Sequence, residues 1–459
     1  MEIWVGIDVA CRAAHQASCA DATGTMRFVG HRFRTDATEL EALWAKLPTE
    51  ATAVTIVMEP TRNAWVPLAA WFRRKGAQIV LVPAEQSSDL RKYYSKHTKT
   101  DRLDSRLLAR LPLLHPDGLH REETLGPAGP LKRAVKIRSG FVHRRTSAMH
   151  RLDALLELLG PAWTAAIGTD MTLTALRFLA RYASPVRVKR LGERRLAEFF
   201  RRSSRAAWGD ERAAAVMAAA KATLALWGED NMDFEQLAED IAAEARLALS
   251  LSEEIKALDR RIAELYKAAD PKGIVRSAPG VGVIGAPQIL GRLGDPKRFS
   301  SLAGVRSFSG LVPRSNASGL NAPAGGPTKA GDACLREALF ISADHARKID
   351  PTLAARYHRL MTSAGKHHNS ALCSIAAVLL TRIAACVRSG ALYELRDVDG
   401  RPISEAEGRR ICAERYRVPT AVRAARRSLV THPRQQRRNE RAERGVAKRS
   451  EAPPVPLSA

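Results

Sequence analysis

Four acidic side chains stand where a phosphoryl-transfer site needs them, in a chain that is otherwise strongly basic. Asp8 closes one apolar run, WVGID, and Glu59 closes another, AVTIVME. Asp101 and Asp104 sit three apart in KTDRLDSRLLAR, which reads as the start of a helix, so both share one helical face. Carboxylates at strand ends, with two more on a helix face, can converge on one point. Hard oxygen donors arranged in that way suit Mg²⁺, and two such ions about 4 Å apart clamp an in-line displacement at phosphorus. On this reading Asp8 lies on the central strand and bridges both ions, while Glu59 comes from the strand beside it.

The charge balance names the substrate class. Lys and Arg total 73 against 48 Asp and Glu, a net charge of +25. An excess of that size attracts polyanions and makes their binding salt-dependent. Metal-loaded carboxylates in such a field point to nucleic-acid backbone. Lys96, Lys99, Arg102 and Arg106 flank the helical carboxylates and are candidates for holding the scissile strand. An ordinary solvated helix face carries the same residue types.

The elements that must position these groups are legible in outline. Residues 2–9 read as a strand. HQASCAD (15–21) and TMRFVGHRF (25–33) flank the turn Ala22-Thr23-Gly24 and read as a hairpin. DATELEALWAKL (36–47) has Asp36 as N-cap and Leu40, Leu43 and Leu47 at helical spacing. AVTIVME (53–59) is a β-branched strand. AWVPLAAWFRRKG (64–76) is a helix with Pro67 in its first turn, and AQIVLVP (77–83) is a further strand. The order βββαβαβ, then the Asp101 helix, is that of an α/β RNase H-like fold. Sugar kinases and actin-like ATPases also begin with such a strand, but follow it with Gly-rich phosphate loops where this chain has Val9-Ala10-Cys11-Arg12. Proofreading-type exonucleases place a Glu two residues after the first Asp, where this chain has Ala10.

At 459 residues the chain has room for two or three domains, and 45% hydrophobic residues suffice for buried cores. We divide it into an acidic-site domain over 1–125, an all-helical region over 126–270, a mostly α-helical domain over 271–395, and a basic, partly disordered tail over 396–459. In the helical region Leu251, Ile255, Leu258, Ile262 and Leu265 step by 4, 3, 4 and 3, the seam of a coiled coil. That seam fits an intramolecular hairpin and a dimer interface alike. The stretch 161–235 is Ala/Arg-rich and weakly patterned. SALCSIAAVLLTRIAACV (370–387) reads as a buried helix, and 409–449 holds 14 Lys/Arg against three Glu. No apolar run approaches the roughly 20 residues of a membrane span, and Met1 leads straight into a strand, so a cytoplasmic location is expected. Cys11, Cys19, Cys334, Cys373, Cys386 and Cys412 form no CxxC pair and are expected to be reduced and structural.

From about 271 onward the texture is Gly/Pro/Ser-rich. PGVG (279–282) has the form of a turn whose N–H groups meet phosphate at a helix start, or of a plain helix–helix turn. Ser318-Gly319 lies in a stretch followed by Gly325, Gly326, Thr328-Lys329 and Gly331. Glycines there let backbone approach a polyanion, and a serine there can be a nucleophile. By chemistry alone Ser307, Ser309 and Ser315 are equal candidates.

These segments together resemble the DEDD-type transposases of the Piv/MooV-related insertion sequences, the bridge-RNA-guided recombinases. The resemblance covers most of 1–125 and 271–390. It rests on GIDVA, VMEPTRN and KTDRLDSRLLAR, then on PGVG, GDPKRFSS, SGLVPR, Ser318-Gly319, Thr328-Lys329-x-Gly331-Asp332 and LREAL. The run after the serine, LNAPAGG, is less basic than the family's, and Ala10-Cys11 replace a more usual Ser-Lys or Lys. The resemblance implies a RuvC-like domain, a coiled-coil insertion and a C-terminal transposase domain. It also implies Mg²⁺ held by Asp8, Glu59, Asp101 and Asp104, with Ser318 as the residue that attacks DNA and forms a phosphoserine link. The partners it implies are DNA (element ends and target), a guide (bridge) RNA, and further copies of the chain in a homodimer or tetramer. Two other readings stay open: a Holliday-junction-type endonuclease that uses the carboxylates and water, and a non-enzymatic nucleic-acid-binding protein.

Overall fold

The computed structural model describes residues 1–94, 100–115, 120–122, 124, 126, 129–168, 170–228, 231–315 and 324–427. Contacts divide the chain into two units, one joining residues 1–132 with those from 270 onward, the other spanning 133–269.

The N-terminal part of the first unit is built on a mixed sheet. Its strands are β1 (Glu2–Asp8), β2 (His15–Asp21), β3 (Met26–Phe33), β4 (Ala53–Met58), β5 (Gln78–Leu81) and β6 (His120–Arg121), in the spatial order β3-β2-β1-β4-β5-β6. β2 runs antiparallel to β1, and β4 and β5 continue the sheet in parallel. Four helices accompany it: α1 (Ala37–Ala45), α2 (Trp65–Arg74), α3 (Ala84–Tyr94) and α4 (Asp101–Leu114). This is the mixed, hairpin-edged sheet with flanking helices expected of an RNase H-like domain. The period of two along each strand sorts the faces. Ile3, Val5, Ile7, Ile56, Met58 and Ile79 pack on one side with Leu40, Leu43, Leu68 and Phe72 of α1 and α2. Val57, Val80 and Val82 meet Leu108 and Leu111 of α4 on the other. Asp36 does cap α1, accepting from the N–H groups of Thr38 and Glu39 at 2.9 and 3.3 Å. Pro67 is tolerated in the first turn of α2, where its missing N–H has no intrahelical partner to lose. α3 and β6 were not expected.

The second unit holds most of α5 (Pro130–Glu157), then α6 (Pro161–Ile167), α7 (Leu173–Tyr182), α8 (Pro185–Leu191), α9 (Glu193–Ser204), α10 (Asp210–Trp227) and α11 (Phe234–Ala269). The weakly patterned stretch 161–235 is a packed helical core around Trp163, Phe178 and Phe200, all fully buried. Trp163 donates its indole N–H to Thr223 at 2.7 Å, and Thr223 donates in turn to the Leu159 carbonyl at 2.6 Å. Arg138 pairs with Asp259, and Arg151 with Glu244 at 2.7 Å, so α5 and α11 run antiparallel along one another. Leu251, Ile255, Leu258 and Ile262 are buried within the single chain, and Leu265 half-buried.

The C-terminal part of the first unit consists of α12 (Gly285–Leu293), α13 (Leu302–Ser309), the hairpin β7 (Pro313–Ser315) and β8 (Ala324–Pro327), α14 (Ala333–Ala346), α15 (Pro351–Thr362), α16 (His368–Ser389), α17 (Glu405–Arg415) and α18 (Thr420–Arg427). Contrary to the expectation from apolar runs, α16 is long and apolar enough by length and composition to cross a membrane. It is instead the axis of a packed core. Leu372, Ile375, Leu379, Leu380 and Ile383 are buried on it, and α13, α14 and α15 pack against it. Its Arg382 reaches Asp350, which is 1% exposed, at 3.0 Å, and Tyr393 donates to the same carboxylate at 2.5 Å.

Candidate active site

The sheet brings two of the acidic residues together by register. β1 and β4 pair in parallel up to Ile7 and Met58, so the next residues, Asp8 and Glu59, emerge side by side from strands about 4.8 Å apart. Ile7 and Met58 point into the α1/α2 core, so Asp8 and Glu59 fall on the opposite face, the one covered by α4.

Gly6 sets how α4 lies on that face. A Cβ at Gly6 would stand 2.2 Å from the Ser105 carbonyl oxygen and 2.2 Å from the Ala109 nitrogen. Only a residue without a side chain lets the helix backbone come so near. Ser105 and Ser18 share a buried hydroxyl–hydroxyl bond of 2.9 Å, which ties the helix to β2. α4 runs antiparallel to β1: Leu113 lies near Gly24, just before β3, and Arg102 near Gly30, further along that strand, which runs parallel to β1. Its first turn therefore lies toward the C-terminal ends of β1 and β4. Thr100 caps that turn, accepting from the Leu103 N–H at 3.2 Å. Asp101 and Asp104 occupy it, where negative charge suits the helix dipole. The backbone thus carries all four carboxylates to one end of the sheet.

The side chains are held by α3. Arg91 donates to both Asp104 oxygens, at 3.1 and 3.3 Å, in a pair whose side chains are 20% and 16% exposed. Four residues earlier on the same helix, Ser87 donates to Glu59. Asp101 is exposed, and Asp8 and Glu59 are half-buried. Among the described residues no three carboxylate, imidazole or thiolate groups stand close enough to hold one ion. The donor set nevertheless fits a hard divalent cation: oxygen ligands only, from strand ends and a helix start that share one edge. Arg91 and Ser87 are neighbours of these carboxylates that the sequence pattern missed. α3, AEQSSDLRKYY, buries no residue, so it has no apolar periodicity to reveal it.

Behind Asp8 the chain turns at a fixed point. The Ala10 N–H donates to His15 Nδ1 at 3.1 Å, and His15 Nε2 meets the Thr35 hydroxyl at 2.8 Å. Burial holds the His15 imidazole below its ordinary value of 6.5, against a smaller opposite pull from Glu39.

Of the other candidates, Arg102 lies along Gly30, Arg106 is exposed, and Lys96 and Lys99 lie outside the described residues. PGVG is a packing turn: a Cβ at Gly280, where φ is +74°, would stand 2.4 Å from the Ala346 nitrogen at the end of α14. Ser318 falls between β7 and β8, outside the described residues. The stem below it is anchored. Pro313 pairs with Pro327 and Ser315 with Ala324, while the Thr328 and Lys329 N–H groups donate to the Val312 and Gly310 carbonyls at 2.8 and 3.1 Å. Asp332 caps α14 through the Leu335 N–H at 2.9 Å and pairs with Arg292. Ser309 donates to the Arg306 carbonyl at 2.7 Å within α13 and is fully buried, which removes it as a nucleophile.

A mixed RNase H-like sheet with strand-end and helical carboxylates defines an enzyme of the DEDD class acting on nucleic acid. A family model for DEDD transposases of the IS110 type, described as Transposase, matches residues 5–161, and a second, Transposase IS116/IS110/IS902 family, matches residues 272–359. The chain is 25% identical over 404 residues to the insertion element IS110 uncharacterized 43.6 kDa protein of Streptomyces coelicolor, covering 86% of this chain and 96% of that one. It is 27% identical over 285 residues to the insertion element IS116 uncharacterized 44.8 kDa protein of Streptomyces clavuligerus, covering 62% of this chain and 69% of that one. The chain belongs to the IS110 family of DEDD transposases, enzymes that act on DNA by transposition and recombination.

Proposed function

We propose that this chain cuts and rejoins the DNA of its own insertion element at a site composed of Asp8, Glu59, Asp101 and Asp104 with Ser318, guided by a structured RNA and working as a dimer or tetramer. The observation that supports the reading is that β1, β4 and the first turn of α4 carry these carboxylates toward the same end of the sheet. Mg²⁺ bound there supplies positive charge to the phosphate as it becomes pentacoordinate. The carboxylates position that charge. The Ser318 oxygen forms a bond to phosphorus while one P–O ester bond of the DNA breaks, and the departing DNA oxygen leaves as a hydroxyl with a proton. The phosphoserine ester conserves the bond, so a second DNA hydroxyl can displace the serine without ATP. Arg91 holds a negative oxygen at Asp104, and a substrate phosphate arriving there offers it another.

The test uses the purified full-length chain with Mg²⁺, co-purified RNA and labelled element-end DNA. A denaturation-resistant protein–DNA adduct is expected, lost in Ser318→Ala, while Asp8→Asn abolishes cleavage and leaves DNA binding within about twofold, because only one of many charges changes. An adduct that survives in Ser318→Ala overturns the serine assignment. Cut junctions with no protein-linked DNA support the junction-endonuclease alternative instead.

A further inference from the structure

A basic pocket far along the chain from the carboxylates has no role in that chemistry. It lies in the C-terminal part of the first unit, among the end of α14, α15, α17 and α18, and encloses about 280 Å³. Arg347, Lys348, Arg409, Arg417 and Arg423 line it, with Tyr416, and no acidic residue does. Two cations share one carboxylate: Asp344 pairs with Arg347 at 2.6 Å and Lys348 at 2.9 Å. Burial alone would raise the Asp344 carboxyl, but the hydrogen bonds from Lys348 and Arg347 outweigh it and bring the group down to about 2. Arg409 pairs with exposed Glu405. Arg417 and Arg423 are exposed and have no carboxylate partner among the described residues. Five cations against two carboxylates leave a net +3 around the cavity.

The pocket is also stiff on one wall. The Arg347 guanidinium lies 4.3 Å over the Tyr357 ring, and the Tyr357 hydroxyl meets His368 Nδ1 at 2.7 Å. Tyr416 is half-buried, edge-on to His358, and lines the cavity. Free arginine forks match phosphate, and an aromatic face takes a base of any sequence. The volume is at the lower bound for small-ligand sites, enough for one nucleotide unit and too little for a duplex.

We propose that this pocket seats one phosphodiester of a single nucleic-acid strand, gripped by Arg417 and Arg423, with its base against Tyr416. The proposal rests on the reading of the chain as acting on nucleic acid. Eight of the eleven lining residues, from α17, α18 and the segment between them, lie beyond the residues 272–359 that match the family model.

Anisotropy titrations of the full-length chain test it, with labelled 20-nucleotide single strands of one sequence as RNA and as DNA, and a DNA duplex, at several salt concentrations. Arg417→Gln/Arg423→Gln is compared with Arg194→Gln/Arg195→Gln, which removes equal charge from an exposed face of α9. The pocket variant is expected to weaken single-strand binding about 10-fold and to lower the salt slope by about 0.7, one phosphate no longer neutralised. Tyr416→Leu is expected to weaken it about fivefold with the slope unchanged. A loss with RNA alone, with DNA alone or with both supports the site and names its strand. A pocket variant indistinguishable from the control on both single strands, or impaired only on duplex, overturns the site while leaving the function intact. Wild-type chain that binds none of the three overturns both.

Discussion

Asp104 and Glu59 show how carboxylates carried to one end of a sheet each find a partner in a folded chain. Bare negative charges at one edge repel, and each is satisfied by a neighbour on α3, Arg91 for Asp104 and Ser87 for Glu59. On the proposed reading a divalent cation takes the place of these partners. His15 is the nearest titratable switch, because its Nδ1 accepts the Ala10 N–H two residues past Asp8. A proton on Nδ1 would abolish that bond. Its depressed value means that the unfolded chain takes up the proton first, so the stability His15 contributes is full above 6.5 and is lost as pH falls below it. A proton-NMR titration is expected to place the His15 midpoint below 6.5. A midpoint at or above that value contradicts the buried, accepting ring.

At the scale of elements the site depends on α4 lying almost backbone to backbone on β1. Gly6→Ala puts a methyl group 2.2 Å from two backbone atoms that belong to a hydrogen-bonded helix. The helix must lift, at a cost of about 3 kcal/mol or more, and the first turn that carries Asp101 and Asp104 lifts with it. Thermal melting is expected to fall by at least about 5 °C for such a loss. An unchanged melting curve contradicts the close seat. How much of this was legible follows from what each element buries. β1 and β4 announced themselves by apolar runs that end in carboxylates, α4 by two carboxylates that open a helical run, and α1 by its Asp36 cap. α3 buries no residue fully and packs only Leu90 partly against the core, so periodicity was silent. The Ser18–Ser105 bond joins residues 87 apart, a pairing no local pattern contains. The core over 161–235 was obscured because Ala-rich helices pack through small residues and give a faint apolar stripe. Ser318 was reached only through the ordered motifs around it, since serines in Gly-rich loops are chemically alike.

At the scale of the whole molecule, charge and site divide the labour. A net +25 draws nucleic acid to the surface without regard to sequence, and on the proposed reading the carboxylates select the place of reaction. The central claim is that Asp8, Glu59, Asp101 and Asp104 form one divalent-cation site, and it can be measured without DNA. Mn²⁺ binding to the full-length chain, followed by electron paramagnetic resonance, is expected to show saturable binding that weakens about 10-fold or more when Asp8→Asn or Glu59→Gln removes a charged ligand. Binding unchanged in both variants, with their fold intact, would contradict the account.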